Sequence, residues 1–269
     1  MSEVRAPAVA GSFYPSDPDA LREDVTHLLQ AMQPRVMDPK GLIVPHAGYL
    51  YSGTIAAAAY ACIRRPAERS LRVILLGPSH RVYLRGIALS SARSFATPLG
   101  EVPVDHHALR PLLEFPQVQL MDGAHRWEHS LEVQLPFLQV RLGSHFSLVP
   151  LVVGCAEPPQ VAQVIESLWN DANTLVIVSS DLSHYHDYET ARTIDAATSG
   201  AIEKLRFEDI APEQACGCMP LKGLLYFARE RGFSVTRLDL KNSGDTAGPR
   251  DRVVGYGAYA VHSSDEALG

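Results

Sequence analysis

The chain has 269 residues, of which 46% are hydrophobic and 20% are charged, and its formal net charge is −6. This is the composition of a globular protein with a sizeable core, and the interspersed charges exclude the basic surface that nucleic acid or an anionic membrane would require. No apolar run approaches the ~20 residues of a membrane span, and residues 1–15 lack the apolar region of a signal peptide. We therefore expect a cytoplasmic protein with no nucleic-acid and no membrane partner.

The apolar pattern predicts alternating strands and helices along the chain. In chain order these are strand 41–45, helix 52–64, strands 72–77 and 86–90, helices 105–114 and 129–142, strand 146–154, helix 158–171, strand 174–180, helices 187–205 and 220–231, and strands 233–240 and 253–261. Several strands are almost continuous Val, Ile and Leu, which is typical of strands buried on both faces. Because no linker-like stretch divides the chain, we predict one α/β domain over 1–269, with three α/β/α layers around a mostly parallel or mixed sheet.

Helix ends are predicted from capping residues. Ser52 and Asp105 suit the N-cap position, and Gly232 suits the end of the last helix. Pro136 should kink or shorten the helix over 129–142, since proline removes a backbone donor.

Three of the buried strands lead into short polar loops that carry a histidine. His46 follows strand 41–45, His80 follows strand 72–77, and strand 174–180 continues through Asp181 to His184. Ligands of open α/β sheets bind beyond the carboxyl ends of the strands, so these imidazoles can converge although they are distant in sequence. Each alone could be an ordinary structural histidine. Together they favour a metal site, because imidazole is the commonest protein metal ligand.

The segment "ACGCMPLKG" adds two cysteines just before a predicted helix. A helix N-terminus lowers the pKa of a nearby thiol and so favours the metal-binding thiolate. Cys216 and Cys218 could instead be two inert buried thiols. Two histidines with one thiolate would form a mononuclear site with open positions for substrate, water or dioxygen. The four cysteines of the chain are too few for a disulfide framework, so we expect a reduced protein.

The segment "HRWEHSLE" matches the inverted zinc-protease pattern H-x-x-E-H through His125, Glu128 and His129. On a helix His125 and His129 would share one face, but Gly123 indicates that the helix begins later, near His129. In that case the segment is a loop entering a helix, with His129 and Glu132 on one face. We predict His129 and Glu132 as polar walls of a substrate pocket, since the apolar helix has little structural need of them.

These motifs resemble the Memo family, whose bacterial and archaeal members are called AmmeMemoRadiSam system protein B. The likeness runs nearly from end to end, through "RAPAVAGSFYP", "VPHAGYLYSG", "LLGPSH", "EHSLEVQLPFL", "SSDLSHY", "ACG", "NSGDTAG" and "VVGYGAYA". The family is similar in fold to LigB-type class III extradiol ring-cleaving dioxygenases, which are non-haem iron enzymes. The family name also suggests a radical-SAM partner protein.

The resemblance implies a metal site of two histidines and a cysteine, where the dioxygenases have two histidines and a carboxylate. By motif the ligands are His46, His80 and Cys216, and His184 takes the position of the dioxygenases' acid/base histidine. Some relatives have a histidine soon after the "CG" motif, whereas this chain has Cys218 there. A thiolate softens the site and favours copper or a more reducible iron, and we expect one mononuclear iron or copper ion, with zinc as a further option.

Three functional hypotheses follow. In the first the protein is a metal-dependent oxidoreductase in which His184, oriented by Asp181, transfers a proton while Tyr51, His129 and Glu132 line the pocket. In the second the crevice binds a peptide or a small anion without catalysis. In the third the site delivers or buffers a metal. In every case the natural small molecule or peptide is unknown, because fold likeness does not supply a substrate.

Overall fold

The computed structural model describes residues 3–34, 38–64, 70–170 and 173–263. Its strands are β1 Val4–Arg5, β2 Gly41–Val44, β3 Leu71–Pro78, β4 Ile87–Leu89, β5 Ser94–Thr97, β6 Gly100–Pro103, β7 Val118–Leu120, β8 Phe146–Val153, β9 Thr174–Ser179, β10 His184–His186, β11 Phe233–Asn242 and β12 Val253–Ser263. Its helices are α1 Pro18–Gln30, α2 Tyr49–Tyr60, α3 His106–Leu109, α4 Asp122–Arg126, α5 Leu135–Leu142, α6 Pro158–Leu168, α7 Tyr188–Glu203, α8 Cys218–Glu230 and α9 Ser243–Thr246, with 3₁₀ turns at Arg110–Glu114, Glu132–Gln134, Phe207–Asp209 and Pro212–Gln214.

A mixed sheet forms the centre of the described structure, in the order β10-β12-β2-β9-β3-β8-β4-β7, with β11 paired to β12. Strands β2, β9, β3 and β8 are mutually parallel neighbours, while β12 runs antiparallel to β2 and β11. The central strands are buried on both faces; Val73, Ile74, Leu75 and Leu76 of β3 have no exposed surface. This confirms the predicted α/β class and explains the continuous apolar runs.

Helices cover both faces of the sheet. Along the strand order β2-β9-β3-β8, the connection from β2 through α2 leads forward to β3, and the connection from β8 through α6 leads back to β9. Because both crossovers between parallel strands are right-handed, α2 and α6 lie on opposite faces of the sheet. Helices α1, α2 and α5 pack on one another, and α6 packs on α8. The predicted three layers are therefore present. None of the helices in the described ranges has the length and apolar composition needed to cross a bilayer.

Helix ends were predicted less accurately than the strands. Asp105 caps α3 by accepting from the Ala108 N–H, and Gly232 follows α8 with φ +65°, so both predictions are confirmed. Ser52 was wrong as an N-cap: α2 begins earlier, at Tyr49 after Gly48. Pro136 lies in the first turn of a helix that begins only at Leu135, because a proline is tolerated there and not in a helix interior.

Other differences concern short or weakly apolar elements. Helix α6 ends at Leu168, and residue 171 of its predicted range lies outside the described residues. Helix α1 was missed because Leu21 and Val25 are its only fully buried members. The start of α1 could have been predicted, because Asp17 is a favourable N-cap residue and Pro18 follows it at the first helical position.

Candidate metal centre

Three loops bring His46, His80 and Cys216 together at the carboxyl edge of the parallel strands. His46 follows β2, His80 follows β3, and Cys216 lies just before α8. One ligand atom from each residue lies within 4.8 Å of the other two, and the Cys216 Sγ is 3.2 Å from the His46 Nε2. The structure thus places the three sequence-predicted ligands in one cluster.

The ring of His46 is held in one tautomer by Ser179. The Ser179 hydroxyl donates its only proton to the Ser130 carbonyl at 2.6 Å, and its oxygen accepts from the Gln134 side-chain amide at 2.8 Å. Toward His46 the hydroxyl oxygen can then only accept, so the Nδ1 at 2.9 Å carries the proton. This leaves the Nε2 lone pair directed at Cys216, as a metal-binding histidine requires.

The ring of His80 is held in the same tautomer by Glu128. The carboxylate accepts from the His80 backbone N–H at 2.6 Å and from its Nδ1 at 2.8 Å, and from the Ser130 N–H at 2.9 Å. Burial acts to raise the pKa of Glu128, but hydrogen bonds from His80 and Ser130 outweigh it and lower the pKa to about 2. Because an ionised carboxylate only accepts, His80 keeps Nε2 as its free ligand atom.

The Cys216 thiol differs from the prediction. Burial and the neighbouring Asp181 carboxylate raise its pKa above the ordinary value, whereas the nearby helix start was expected to lower it. Desolvation outweighs the helix dipole here, because half-buried Cys216 lies in the loop ahead of the helix and close to the buried Asp181 carboxylate. A bound cation would supply the missing charge compensation, since a coordinating thiol loses its proton.

Gly217 allows the cysteine loop to approach the end of β9. A Cβ on Gly217 would lie 2.7 Å from the Ser180 Cβ and 2.8 Å from the Ser179 carbonyl oxygen, which is closer than packing allows. Cys218 begins α8 and is buried, with its Sγ 3.8 Å from the Ile210 carbonyl oxygen. The two thiols therefore contact different parts of the protein.

His129 lies against both histidines of the cluster. Its ring stacks on His80 with a centroid distance of 4.8 Å and meets His46 edge-on at 5.4 Å. Burial and the nearby His46 lower the pKa of His129 to about 4. With His80 and Glu128 it forms a second group of possible ligand atoms within 4.8 Å. The residue predicted as a pocket wall is thus in contact with the cluster itself.

Comparison with known proteins shows the family to which the chain is similar over nearly its whole length. The family model of Memo-like proteins matches residues 5–260. A MEMO1 family protein of Aquifex aeolicus is 35% identical over 267 residues, covering 94% of this chain and 97% of the relative. MEMO1 family proteins of Methanosarcina acetivorans and Saccharolobus solfataricus are 35% and 34% identical, covering 96% and 94% of this chain and 99% and 97% of the relatives.

The chain belongs to the Memo family. Within this Memo-family chain the structure corrects the prediction for Glu132. Its side chain is fully buried and accepts from Arg5, from the Ala8 and Val9 N–H groups and from the Tyr14 hydroxyl. A wall of an open pocket needs an accessible side chain, so Glu132 instead fastens the N-terminal segment to the domain.

The H-x-x-E-H segment does not form a protease-like helix in this Memo fold. Helix α4 ends at Arg126, so Glu128 and His129 lie in the turn that follows. The His125 Nε2 donates to the Ala88 carbonyl at 3.0 Å, while the His129 ring packs against His46 and His80. The predicted shared face of His129 and Glu132 is also wrong, because a 3₁₀ turn begins at Glu132 and the α-helix only at Leu135.

Asp181 and His184 both lie beside the cluster, but Asp181 does not orient His184. The Asp181 carboxylate accepts from the His46 N–H at 2.7 Å, and burial raises the pKa of Asp181 although this bond opposes it. The His184 Nδ1 instead donates to the Leu182 carbonyl at 2.8 Å. Asp181 therefore fixes the His46 loop. Tyr51, in the first turn of α2, is 38% exposed, and its substrate role stays a prediction.

Sequence reasoning missed Ser179 and Gln134, which set the tautomer of His46. Gln134 had a signal, because it is a polar residue inside the apolar segment "EVQLPFL", and it is 1% exposed. A buried amide needs hydrogen-bond partners, and here these are Ser179, the Pro45 carbonyl and the Tyr60 hydroxyl.

Buried neutral histidines predict acid sensitivity in the metal-free protein. Burial lowers the pKa of His125 to about 4, while the unfolded chain titrates near 6.5. The unfolded state therefore binds more protons between these values, and the free energy of unfolding should fall as pH drops from 6.5 to 4, by about 3 kcal/mol for this residue. Denaturant titration at several pH values measures the slope.

The matched variant is His125→Gln, whose amide can still donate to the Ala88 carbonyl. Between pH 6.5 and 4 the free energy of unfolding of the variant should fall less steeply, because about one proton fewer is taken up on unfolding. An unchanged slope in the variant would contradict a neutral, buried His125.

Proposed function

We propose that His46, His80 and Cys216 bind one iron or copper ion, with zinc as a further option, and that the loaded protein is an oxidoreductase related to extradiol dioxygenases. The observation that carries the proposal is that both histidines donate through Nδ1 to fixed acceptors. Two imidazole lone pairs and one sulfur are thereby left to bind one metal ion. That the site takes a small molecule or peptide, and that a radical-SAM protein is a partner, stay predictions.

The residues present fit a transition-metal ion. With metal–nitrogen distances of about 2.1 Å and metal–sulfur distances of about 2.3 Å, two ligands of one ion lie roughly 3 to 4.4 Å apart. The 3.2 Å between the Cys216 Sγ and the His46 Nε2 falls within that range. Imidazole and thiolate together suit iron, copper and zinc rather than calcium or magnesium. A bound ion of this kind supplies Lewis acidity and, for iron or copper, electron transfer.

Protein groups around the cluster could hold and move a proton. His184 is half-buried and donates its Nδ1 proton to the Leu182 carbonyl, so its Nε2 is the atom that exchanges protons with a ligand. Asp181 holds the backbone of His46, and His129 packs against both ligand rings. In this proposal His184 is the acid/base group, and Asp181 and His129 position the site.

The two non-catalytic alternatives differ in how well the site supports them. An anion would need free donors or positive charge, but burial lowers the pKa of His46 to about 3 and that of His129 to about 4. The crevice therefore presents neutral rings. The Nδ1 protons of His46 and His80 are engaged, and the His129 Nδ1, which has no hydrogen-bond partner among the described residues, is itself buried. Peptide or small-anion binding is thus less well supported. Metal delivery would use the same three ligands, and turnover distinguishes it from catalysis.

Metal analysis after purification without air tests the proposal. Reconstitution with iron(II) or copper should give about one equivalent per chain, since a preformed mononuclear site binds one ion. Dioxygen uptake with ascorbate as the electron donor measures redox turnover. His184→Asn should keep the metal and lower that uptake by about a hundredfold, the contribution of a general acid/base group.

If His184→Asn binds the metal and takes up dioxygen as fast as the parent protein, His184 has no proton-transfer role. Loading without any dioxygen uptake, combined with rapid metal exchange to a chelator, would favour metal delivery. Failure to bind iron, copper or zinc would overturn the proposal, and binding of zinc alone would remove its redox function.

A further inference from the structure

Asp195, on helix α7, is a buried carboxylate that has no part in the mechanism proposed above. The residue is 3% exposed, and burial raises the pKa of its carboxyl group. Acidic side chains are seldom buried without hydrogen-bond partners, because desolvation disfavours their charged form. Neither of the two groups of possible metal-ligand atoms includes Asp195. Its place in the interior therefore calls for another explanation.

The Asp195 carboxylate bonds the backbone of Ser183, the residue directly before His184. Its Oδ1 accepts from the Ser183 N–H at 3.0 Å, and Ser183 has no exposed surface. Without this acceptor the N–H would be a buried donor with no water in reach, which is unfavourable. The bond therefore fixes the position of this backbone N–H.

Gly255 of β12 makes room for the carboxylate and bonds the same segment. A Cβ at Gly255 would lie 2.0 Å from the Asp195 Oδ2 and 2.7 Å from its Oδ1, so a larger residue there would displace the carboxylate. The Gly255 N–H donates to the Ser183 carbonyl at 2.8 Å, and the Gly255 carbonyl accepts from the Leu182 N–H at 2.8 Å. Residues 182 and 183 are thus bonded both to α7 and to β12.

The peptide group between Leu182 and Ser183 connects Asp195 to the ring of His184. Its N–H, from Ser183, donates to the Asp195 carboxylate, and its carbonyl, from Leu182, accepts from the His184 Nδ1 at 2.8 Å. The peptide group is planar, so an acceptor that fixes its N–H also fixes the direction of its carbonyl. An accepted bond at the N–H also strengthens the carbonyl as an acceptor, because consecutive hydrogen bonds polarise one another.

We propose that Asp195 is the positioning residue of His184 and acts through this one peptide group. The carboxylate holds the peptide, the peptide carbonyl holds the proton on the His184 Nδ1, and the Nε2 is left as the atom that exchanges protons. This role rests on the acid/base function proposed above for His184. The sequence predicted Asp181 for it, but the Asp181 carboxylate bonds the His46 N–H instead.

NMR of the metal-free, full-length chain with ¹⁵N-labelled imidazoles tests the positioning without any enzymatic activity. In alkaline buffer, where the ring is neutral, the His184 ring should be the Nδ1–H tautomer, and His184→Asn identifies its resonances. Asp195→Ala removes the acceptor, so the tautomer ratio should shift about tenfold toward Nε2–H, the effect of one net hydrogen bond. Asp195→Asn should keep the Nδ1–H tautomer, because its amide oxygen can accept from the same N–H.

Thr198→Val is the matched control on the same helix. Thr198 is 1% exposed, and its hydroxyl donates to the Ile194 carbonyl at 3.0 Å. The near-isosteric change should lower the stability and leave the His184 tautomer in place. In the metal-loaded protein, Asp195→Ala should lower dioxygen uptake by about tenfold, within the hundredfold expected for loss of the acid/base group itself. Asp195→Asn should restore most of that uptake.

An Nε2–H tautomer in the unmodified chain would overturn the proposal, as would an unchanged tautomer in Asp195→Ala or an equal shift in Thr198→Val. A shift in Asp195→Asn as large as in Asp195→Ala would contradict positioning through an accepted hydrogen bond. Should Asp195→Ala fail to fold, Asp195→Leu removes the acceptor while filling the space. If the loaded parent takes up no dioxygen, the redox function fails, while the tautomers still decide the role of Asp195.

Discussion

Replacing Cys216 by serine should lower the affinity for iron(II) or copper by more than about a hundredfold, beyond the 10–100-fold typical of losing a group that only supports a ligand. The Cys216 Sγ lies 3.2 Å from the His46 Nε2, so the substitution removes one of the three converging ligand atoms. A hydroxyl is a poor replacement, because it stays protonated where a coordinating thiol does not. Competition with a chelator of known affinity measures the loss, and any thiolate-to-metal charge-transfer band should disappear with it.

Cys218→Ser is the matched control, with the same chemical change two residues away. The Cys218 Sγ lies 3.8 Å from the Ile210 carbonyl oxygen, and Cys218 is 3% exposed. Its replacement should leave the metal affinity within a few-fold of the parent and lower only the stability. Equal losses from the two variants would indicate a site with two thiolates, and a loss from Cys218→Ser alone would transfer the ligand role to Cys218.

The central strands could be predicted from the sequence because their apolar runs determine them, whereas the short strands β1, β5, β6, β7 and β10 were missed. The runs at 72–77 and 174–180 are buried on both faces in β3 and β9, a situation that a continuous apolar stretch reports directly. The helix over 129–142 begins later than its apolar spacing predicts. The shortening expected at Pro136 is confirmed, but the 3₁₀ turn at Glu132–Gln134 was not expected, because helical propensity does not include tertiary contacts.

The candidate ligand residues could be predicted from the sequence, but the groups that orient them could not. His46 and His80 follow buried strands whose carboxyl ends meet at one edge, so topology alone brings them close. Which acceptor holds each ring depends on side-chain positions from distant segments, as with Ser179 and Glu128. Glu132 shows the same limit, because its partner Arg5 is 127 residues away in sequence.

Glu132→Gln should lower the free energy of unfolding by about 3–5 kcal/mol, the range for removing one member of a buried ion pair. The carboxylate is fully buried and accepts from Arg5, from the Ala8 and Val9 N–H groups and from the Tyr14 hydroxyl. Glutamine keeps the shape but replaces one acceptor oxygen by a donor, which would face these donors and leave the Arg5 charge without compensation. Urea denaturation of both proteins at neutral pH measures the difference.

Glu3→Gln is the control for this last prediction, because it makes the same change in an exposed pair. The Glu3 carboxylate lies 3.6 Å from the Arg93 guanidinium, with both side chains about three-quarters exposed at 74% and 75%. Exposed pairs contribute about 0–1 kcal/mol, since water and salt screen them. A loss in Glu132→Gln no larger than in Glu3→Gln would show that the N-terminal segment is held by its apolar contacts. A large loss in Glu132→Gln alone would show that one carboxylate, reached by four donors, fastens that segment to the domain.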